Sequence, residues 1–87
     1  MKSIYAITPS GIDFKKLINE IEKMLSLGIR LFQYREKSLS EEQLRNNASI
    51  LLEVIKKNKG KLVINDSPRI AVEIGADGFH LGMEDYL

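Results

Sequence analysis

Residues 29–43 read Ile29-Arg30-Leu31-Phe32-Gln33-Tyr34-Arg35-Glu36-Lys37-Ser38-Leu39-Ser40-Glu41-Glu42-Gln43, and the fold turns on them. Ile29 to Tyr34 is a short apolar and aromatic run of strand character. Its end turns polar and charged at Gln33, Arg35, Glu36 and Lys37. Three residues on, Ser40-Glu41-Glu42-Gln43 matches a capping box, in which Ser40 accepts from a backbone N–H and Gln43 reaches back to the cap. A strand that runs through a polar end into a capped helix is one βα unit.

The same pattern extends in both directions. Upstream, Ser3 to Thr8 is a β-branched and aromatic run closed by the turn signal Pro9-Ser10-Gly11. From Asp13, the residues Phe14, Leu17, Ile18, Ile21, Met24 and Leu25 recur at three- and four-residue spacing, and Gly28 stands where a helix end accepts a positive φ. Downstream, Leu44, Ala48, Leu51, Leu52 and Ile55 form the buried stripe of the helix opened by Ser40. Lys56, Lys57 and Lys59 gather at its end, where cations suit the helix dipole, and Gly60 stops it. Lys61 to Asn65 reads as a third strand, Ser67-Pro68 as N-cap and N1 of a short helix through Glu73 closed by Gly75, and Gly78 to Leu81 as a fourth strand. Strands this short and apolar do not suit a solvated antiparallel sheet, so the order strand, helix, strand, helix, strand, helix, strand implies a parallel α/β sheet with right-handed crossovers.

The chain has 87 residues, 44% apolar and 29% charged. Those fractions lie near the globular average of about 45–50% and 25%, and the length leaves no room for two independent domains. Residues 1–87 are expected to be a single domain unit. With no cysteine, disulfides, thiolate zinc sites and a thiol nucleophile are excluded, and a reducing compartment is a natural fit. Thirteen Lys and Arg against twelve Asp and Glu give a net charge of +1, so no global field draws the chain to nucleic acid or an anionic membrane. The first apolar run stops at Pro9, too early for a signal peptide or a membrane span, and the cytoplasm is the expected location.

Chemistry-bearing residues collect at the carboxyl ends of the predicted strands: Gln33, Arg35 and Lys37, then Asn65 and Asp66, then His80 and Asp85. In parallel α/β folds those ends converge on one face together with helix N-termini. Strand alternation puts Gln33, Arg35 and Lys37 on one side and Tyr34 and Glu36 on the other. An Arg fork beside a Lys point charge suits a phosphate or diphosphate; the competing reading is a solvated loop in which Glu36 neutralises a neighbour. Asp66 is either a helix-capping residue or, with Asp85, one of two carboxylates that would hold magnesium beside a diphosphate. His80 is the single histidine, so a multi-histidine metal site is excluded and a Ser-His-Asp triad could only use His80. The nucleophile-elbow and phosphate-loop motifs are missing.

Tyr5-Ala6-Ile7-Thr8, Phe32-Gln33-Tyr34-Arg35-Glu36-Lys37, Val63-Ile64-Asn65-Asp66 and Gly75-Ala76-Asp77-Gly78-Phe79-His80-Leu81-Gly82-Met83-Glu84-Asp85, in this order and spacing, resemble the bacterial thiamine phosphate synthase family. Members are (β/α)₈ barrels that join hydroxymethylpyrimidine diphosphate to thiazole phosphate and release diphosphate with the help of magnesium. The resemblance implies that Gln33, Tyr34, Arg35, Glu36 and Lys37 bind the pyrimidine diphosphate, with Gln33 toward the ring and Arg35 and Lys37 on the diphosphate as catalytic cations. It implies that Asn65 touches the same substrate, and that Asp66 and Asp85 hold Mg²⁺.

A complete barrel of this kind takes at least about 200 residues. The expected architecture is therefore the parallel βαβαβαβ half of a TIM (β/α)₈ barrel, truncated after the fourth strand, with no thiazole phosphate site in view. Such a half exposes two strand edges and an apolar interior, which implies a homo-oligomer. Three functional readings follow. The chain is a synthase-type alkyl transferase, active as an oligomer or with a second half; or a non-catalytic, regulatory module that binds a diphosphate or pyrimidine; or an inactive, shortened product.

Overall fold

A computed structural model of the chain describes residues 5–80. Four strands, β1 (Tyr5–Ile7), β2 (Leu31–Tyr34), β3 (Lys61–Asn65) and β4 (Gly78–His80), alternate with three helices, α1 (Phe14–Ser26), α2 (Glu41–Lys57) and α3 (Pro68–Ile74). All neighbouring strands pair in parallel in the order β1-β2-β3-β4. Ser3, Ile4 and Leu81, expected to extend the outer strands, lie outside the described residues. β2 begins two residues later than expected, because the Ile29 N–H donates to the Met24 carbonyl at 3.0 Å and keeps Ile29 with the end of α1.

A sheet whose order follows the chain without reversal carries its right-handed crossovers on one face. The core lies between that face and the helices: Phe32, Tyr34, Leu62 and Ile64 are buried with Leu17, Ile21 and Leu25 of α1, Ala48, Leu51 and Ile55 of α2, and Ile70 of α3. Alternation turns the next row the other way, with Ile7 opposite Gln33 and Gln33 opposite Val63. Ile7 in that row is 51% exposed. Among the described residues, no helix is long and apolar enough to cross a membrane.

The helix ends show which local signals act. Asp13 caps α1 by accepting from the Lys16 N–H, and Ser40 with Gln43 completes the reciprocal box of α2. Ser67 is the N-cap of α3 and Pro68 stands in its first turn, as expected, although the Ser67 side chain makes no cap bond. After α2 the left-handed residue is Lys59, at φ 63°, not Gly60. Gly60 is required for space instead: a Cβ there would lie 2.7 Å from Ile55 Cγ2 and 2.9 Å from the Arg30 carbonyl oxygen.

At the amino ends of β3 and β4, Asp77 acts as a clip. Its N–H donates to the Leu62 carbonyl at 2.9 Å, its Oδ2 accepts from the Leu62 N–H at 2.8 Å, and its Oδ1 pairs with Lys56 at the end of α2.

Candidate functional site

The opposite, carboxyl end of the sheet carries the polar residues. The loop after β2 and the loop after β3 wall a cleft of about 440 Å³, with Glu36, Lys37 and Leu39 on one side and Asn65, Asp66 and Ser67 on the other. Lys37 Nζ stands 3.8 Å from Asp66 Oδ2 across it. This ion pair is open to solvent, and such pairs contribute at most about 1 kcal/mol, so a ligand of either charge can displace it. Asp66 adopts φ 62°, a left-handed conformation that Asp tolerates better than most residues. That turn sends the chain from β3 into α3 within the cleft wall.

Beside the cleft, Gln33 is 6% exposed, and its Oε1 accepts from Asn65 Nδ2 at 2.7 Å. The bond spans adjacent strand ends on the sheet face away from the helices and fixes both amide planes.

Tyr34 does not join this group. It is 2% exposed, and its hydroxyl lies 3.4 Å from Asn47 Nδ2 of α2. Strand alternation thus turns the ring into the helix-side core, away from the Gln33 and Asn65 amides. Burial raises its phenol pKa above the ordinary value.

β2 ends at Tyr34, so the alternation expected to align Arg35 and Lys37 with Gln33 does not reach them. Both residues lie in the loop. The Arg35 side chain is exposed, while its N–H donates to Thr8 Oγ1 at 3.0 Å and its carbonyl accepts from Ser10 Oγ at 3.2 Å. Glu36 neutralises neither neighbour: Oε2 accepts from the Gly11 N–H at 2.9 Å, and Oε1 from the Ser38 hydroxyl at 2.9 Å and the Ser38 N–H at 3.3 Å. The Gly11 bond in particular holds the Glu36 carboxyl below its usual range. Buried Thr8, which the sequence marked only as the end of the Tyr5–Thr8 motif and without a role, completes the junction by donating its N–H to the Gln33 carbonyl at 2.9 Å.

Lys37, Asn65 and Asp66 therefore share one cleft, with Gln33 attached through Asn65 and Arg35 on the adjoining loop. Asp85 lies outside the described residues.

The family model for thiamine monophosphate synthase matches residues 4–86 of this chain. The chain belongs to the thiamine monophosphate synthase family. It is 38% identical over 85 residues to the thiamine-phosphate synthase of Methylobacillus flagellatus, covering 98% of this chain and 41% of that relative. The thiamine-phosphate synthase of Nitrosospira multiformis is 44% identical over 82 residues, covering 94% and 35%. That of Methanobrevibacter smithii is 37% identical over 83 residues, covering 95% and 40%. The chain thus spans about two fifths of the length of the curated relatives it matches. Within the thiamine monophosphate synthase family, this chain's cleft is built between two consecutive strand ends, β2 and β3.

Proposed function

We propose that this chain carries the diphosphate-binding part of a thiamine phosphate synthase site. The reaction would join hydroxymethylpyrimidine diphosphate to thiazole phosphate: the bond from the pyrimidine methylene to the diphosphate oxygen breaks, and the thiazole nitrogen forms the new bond to that carbon. One observation carries the reading: Lys37 and Asp66 face each other across a cleft at the carboxyl ends of β2 and β3, with the Gln33 and Asn65 amides fixed beside it.

Lys37 would hold the diphosphate as a point charge and Arg35 would reach it as a planar fork from the adjoining loop. As negative charge develops on the leaving oxygen, both cations would stabilise it. Gln33 and Asn65 would orient the pyrimidine ring. Asp66 suits magnesium, which takes a few carboxylate oxygens and completes its shell with phosphate oxygens and water, and Asp85 would be the second donor. Magnesium when bound would neutralise charge on the departing diphosphate.

The sheet supports the architectural part of the proposal. Strand order without reversal is how a (β/α)₈ barrel is wound, whereas doubly wound sheets reverse direction at a switch point. Four strands in this order would make up half of such a barrel. Turnover then requires a thiazole phosphate site in addition to the cleft between β2 and β3.

Titration calorimetry with inorganic diphosphate, with and without Mg²⁺, tests the site. Loss of one charged contact costs about 1.5–3 kcal/mol, so Lys37→Ala should weaken binding by about 10- to 100-fold. Asp66→Asn keeps a residue that accepts the left-handed backbone and should abolish the gain in affinity from Mg²⁺. Equal binding by the parent chain and both variants would refute the reading. Incubation with both substrates and Mg²⁺, with Lys37→Ala as control, tests turnover separately.

A further inference from the structure

The motif residue with the most complete set of partners is the one that opposes the proposed ligand in charge. Glu36 stands between Arg35 and Lys37, where a carboxylate would ordinarily repel an incoming diphosphate. Its two oxygens instead take the Gly11 N–H, the Ser38 N–H and the Ser38 hydroxyl. Three more bonds run in parallel between the same two loops: Thr8 N–H to the Gln33 carbonyl, Arg35 N–H to Thr8 Oγ1, and Ser10 Oγ to the Arg35 carbonyl. The segment after β1 is thus fastened to the end of β2 and its following loop at three residues, Gln33, Arg35 and Glu36, and Glu36 is the last fastening before Lys37.

We infer that Glu36 is a positioning residue: its carboxylate clasps the 9–11 turn and the start of the 38–40 segment, and so fixes the backbone from which Arg35 and Lys37 reach the ligand, without neutralising either cation. This rests on the diphosphate reading for its purpose, but the clasp itself is a property of the two loops.

Apart from Ile12 and Leu39, which pack partly against the core, the two loops hold polar and charged residues, Pro9 and Gly11, with little apolar burial to order them, and an unfastened loop pays conformational entropy on binding. Preordering of the two cations lowers that cost. Two opposite signs follow for removal of the charge. If Glu36 acted on the ligand through its field alone, its loss would tighten diphosphate binding. If it positions, its loss weakens binding although a repulsive charge has gone.

The test uses the 87-residue chain and the variants Glu36→Ala, Glu36→Gln and Glu36→Asp, with two readouts. Backbone ¹⁵N relaxation and amide exchange should show ordered Gly11, Arg35, Lys37 and Ser38 in the parent, and loss of order confined to these positions in Glu36→Ala, with Phe32 and Leu62 unchanged. Titration with inorganic diphosphate should show about a 10-fold loss in Glu36→Ala, an intermediate loss in Glu36→Gln, which keeps one acceptor oxygen, and partial recovery in Glu36→Asp. Unchanged loop order in Glu36→Ala overturns the clasp. Affinity equal to or above that of the parent in Glu36→Ala and Glu36→Gln overturns the positioning role. If the parent binds no diphosphate, the functional reading falls while the relaxation readout still decides the clasp.

Discussion

Asp77 carries two bonds on one carboxylate, to the Leu62 N–H and to Lys56. Burial pushes its carboxyl up, but these bonds outweigh that and leave its pKa below the usual value. The sign follows: a carboxyl lowered in the folded state stabilises the fold above its unfolded pKa of about 4 and loses that contribution as pH falls through the folded value. Urea unfolding across pH should therefore show stability declining below about pH 4. Asp77→Ala should lower stability at pH 7 by about 1–3 kcal/mol, because it leaves the Leu62 N–H without its carboxylate partner, and should flatten the acid decline. A parallel downward shift with the acid decline intact would show that Asp77 does not carry it. Glu36 has the same sign of shift, from the Gly11 N–H, and its loops should loosen over the same acid range.

At the scale of elements, Gly60→Ala should destabilise the fold by about 1–3 kcal/mol, the usual cost of forcing a methyl into filled space, since Ile55 and the Arg30 carbonyl already occupy it. Ser40→Ala removes one half of the α2 box and should cost about 1 kcal/mol. Thermal and urea unfolding measure both. The same elements show what the sequence made legible. Periodicity located α1 and α2 because a single apolar stripe repeats over three turns or more, and the capping box at Ser40 is local in the chain, whereas the cap at Asp13 emerged only from the structure. The role of Gly60 was not legible. Its helix-stopping position was visible, but the close approach of Arg30 depends on pairing between residues about thirty positions apart. The reversal of Tyr34 was legible in the alternation of β2; the placement of Arg35 and Lys37 was not, because the strand ends one residue before Arg35.

At the scale of the molecule, β1 and β4 are the outer strands of the four-stranded sheet, and the face away from the helices presents Ile7 in its row. Edges of this kind recruit further strands. A second copy offers a parallel β1 to β4 in the order that two halves of an eight-stranded barrel would need. Light scattering behind size-exclusion chromatography should show a species of twice 9.9 kDa at micromolar concentration, and Ile7→Glu should shift it toward monomer while circular dichroism stays unchanged. A stable monomer of the parent chain would sink the expectation. The convergence of Lys37 and Asp66 was readable beforehand, because parallel topology gathers carboxyl strand ends regardless of detail. The fastening by Thr8 and Glu36 was not, since hydrogen bonds between loops 25 or more residues apart leave no periodic trace.

The two walls of the cleft come from strands adjacent both in space and in sequence, separated only by α2. A ligand gripping Lys37 and Asp66 together would act as a cross-link closing one βαβ unit, and by mass action would stabilise the chain by about 2.7 kcal/mol at one hundred times its dissociation constant. Recognition and local folding of residues 31–66 would thereby become one equilibrium, readable as a melting temperature that rises with ligand concentration.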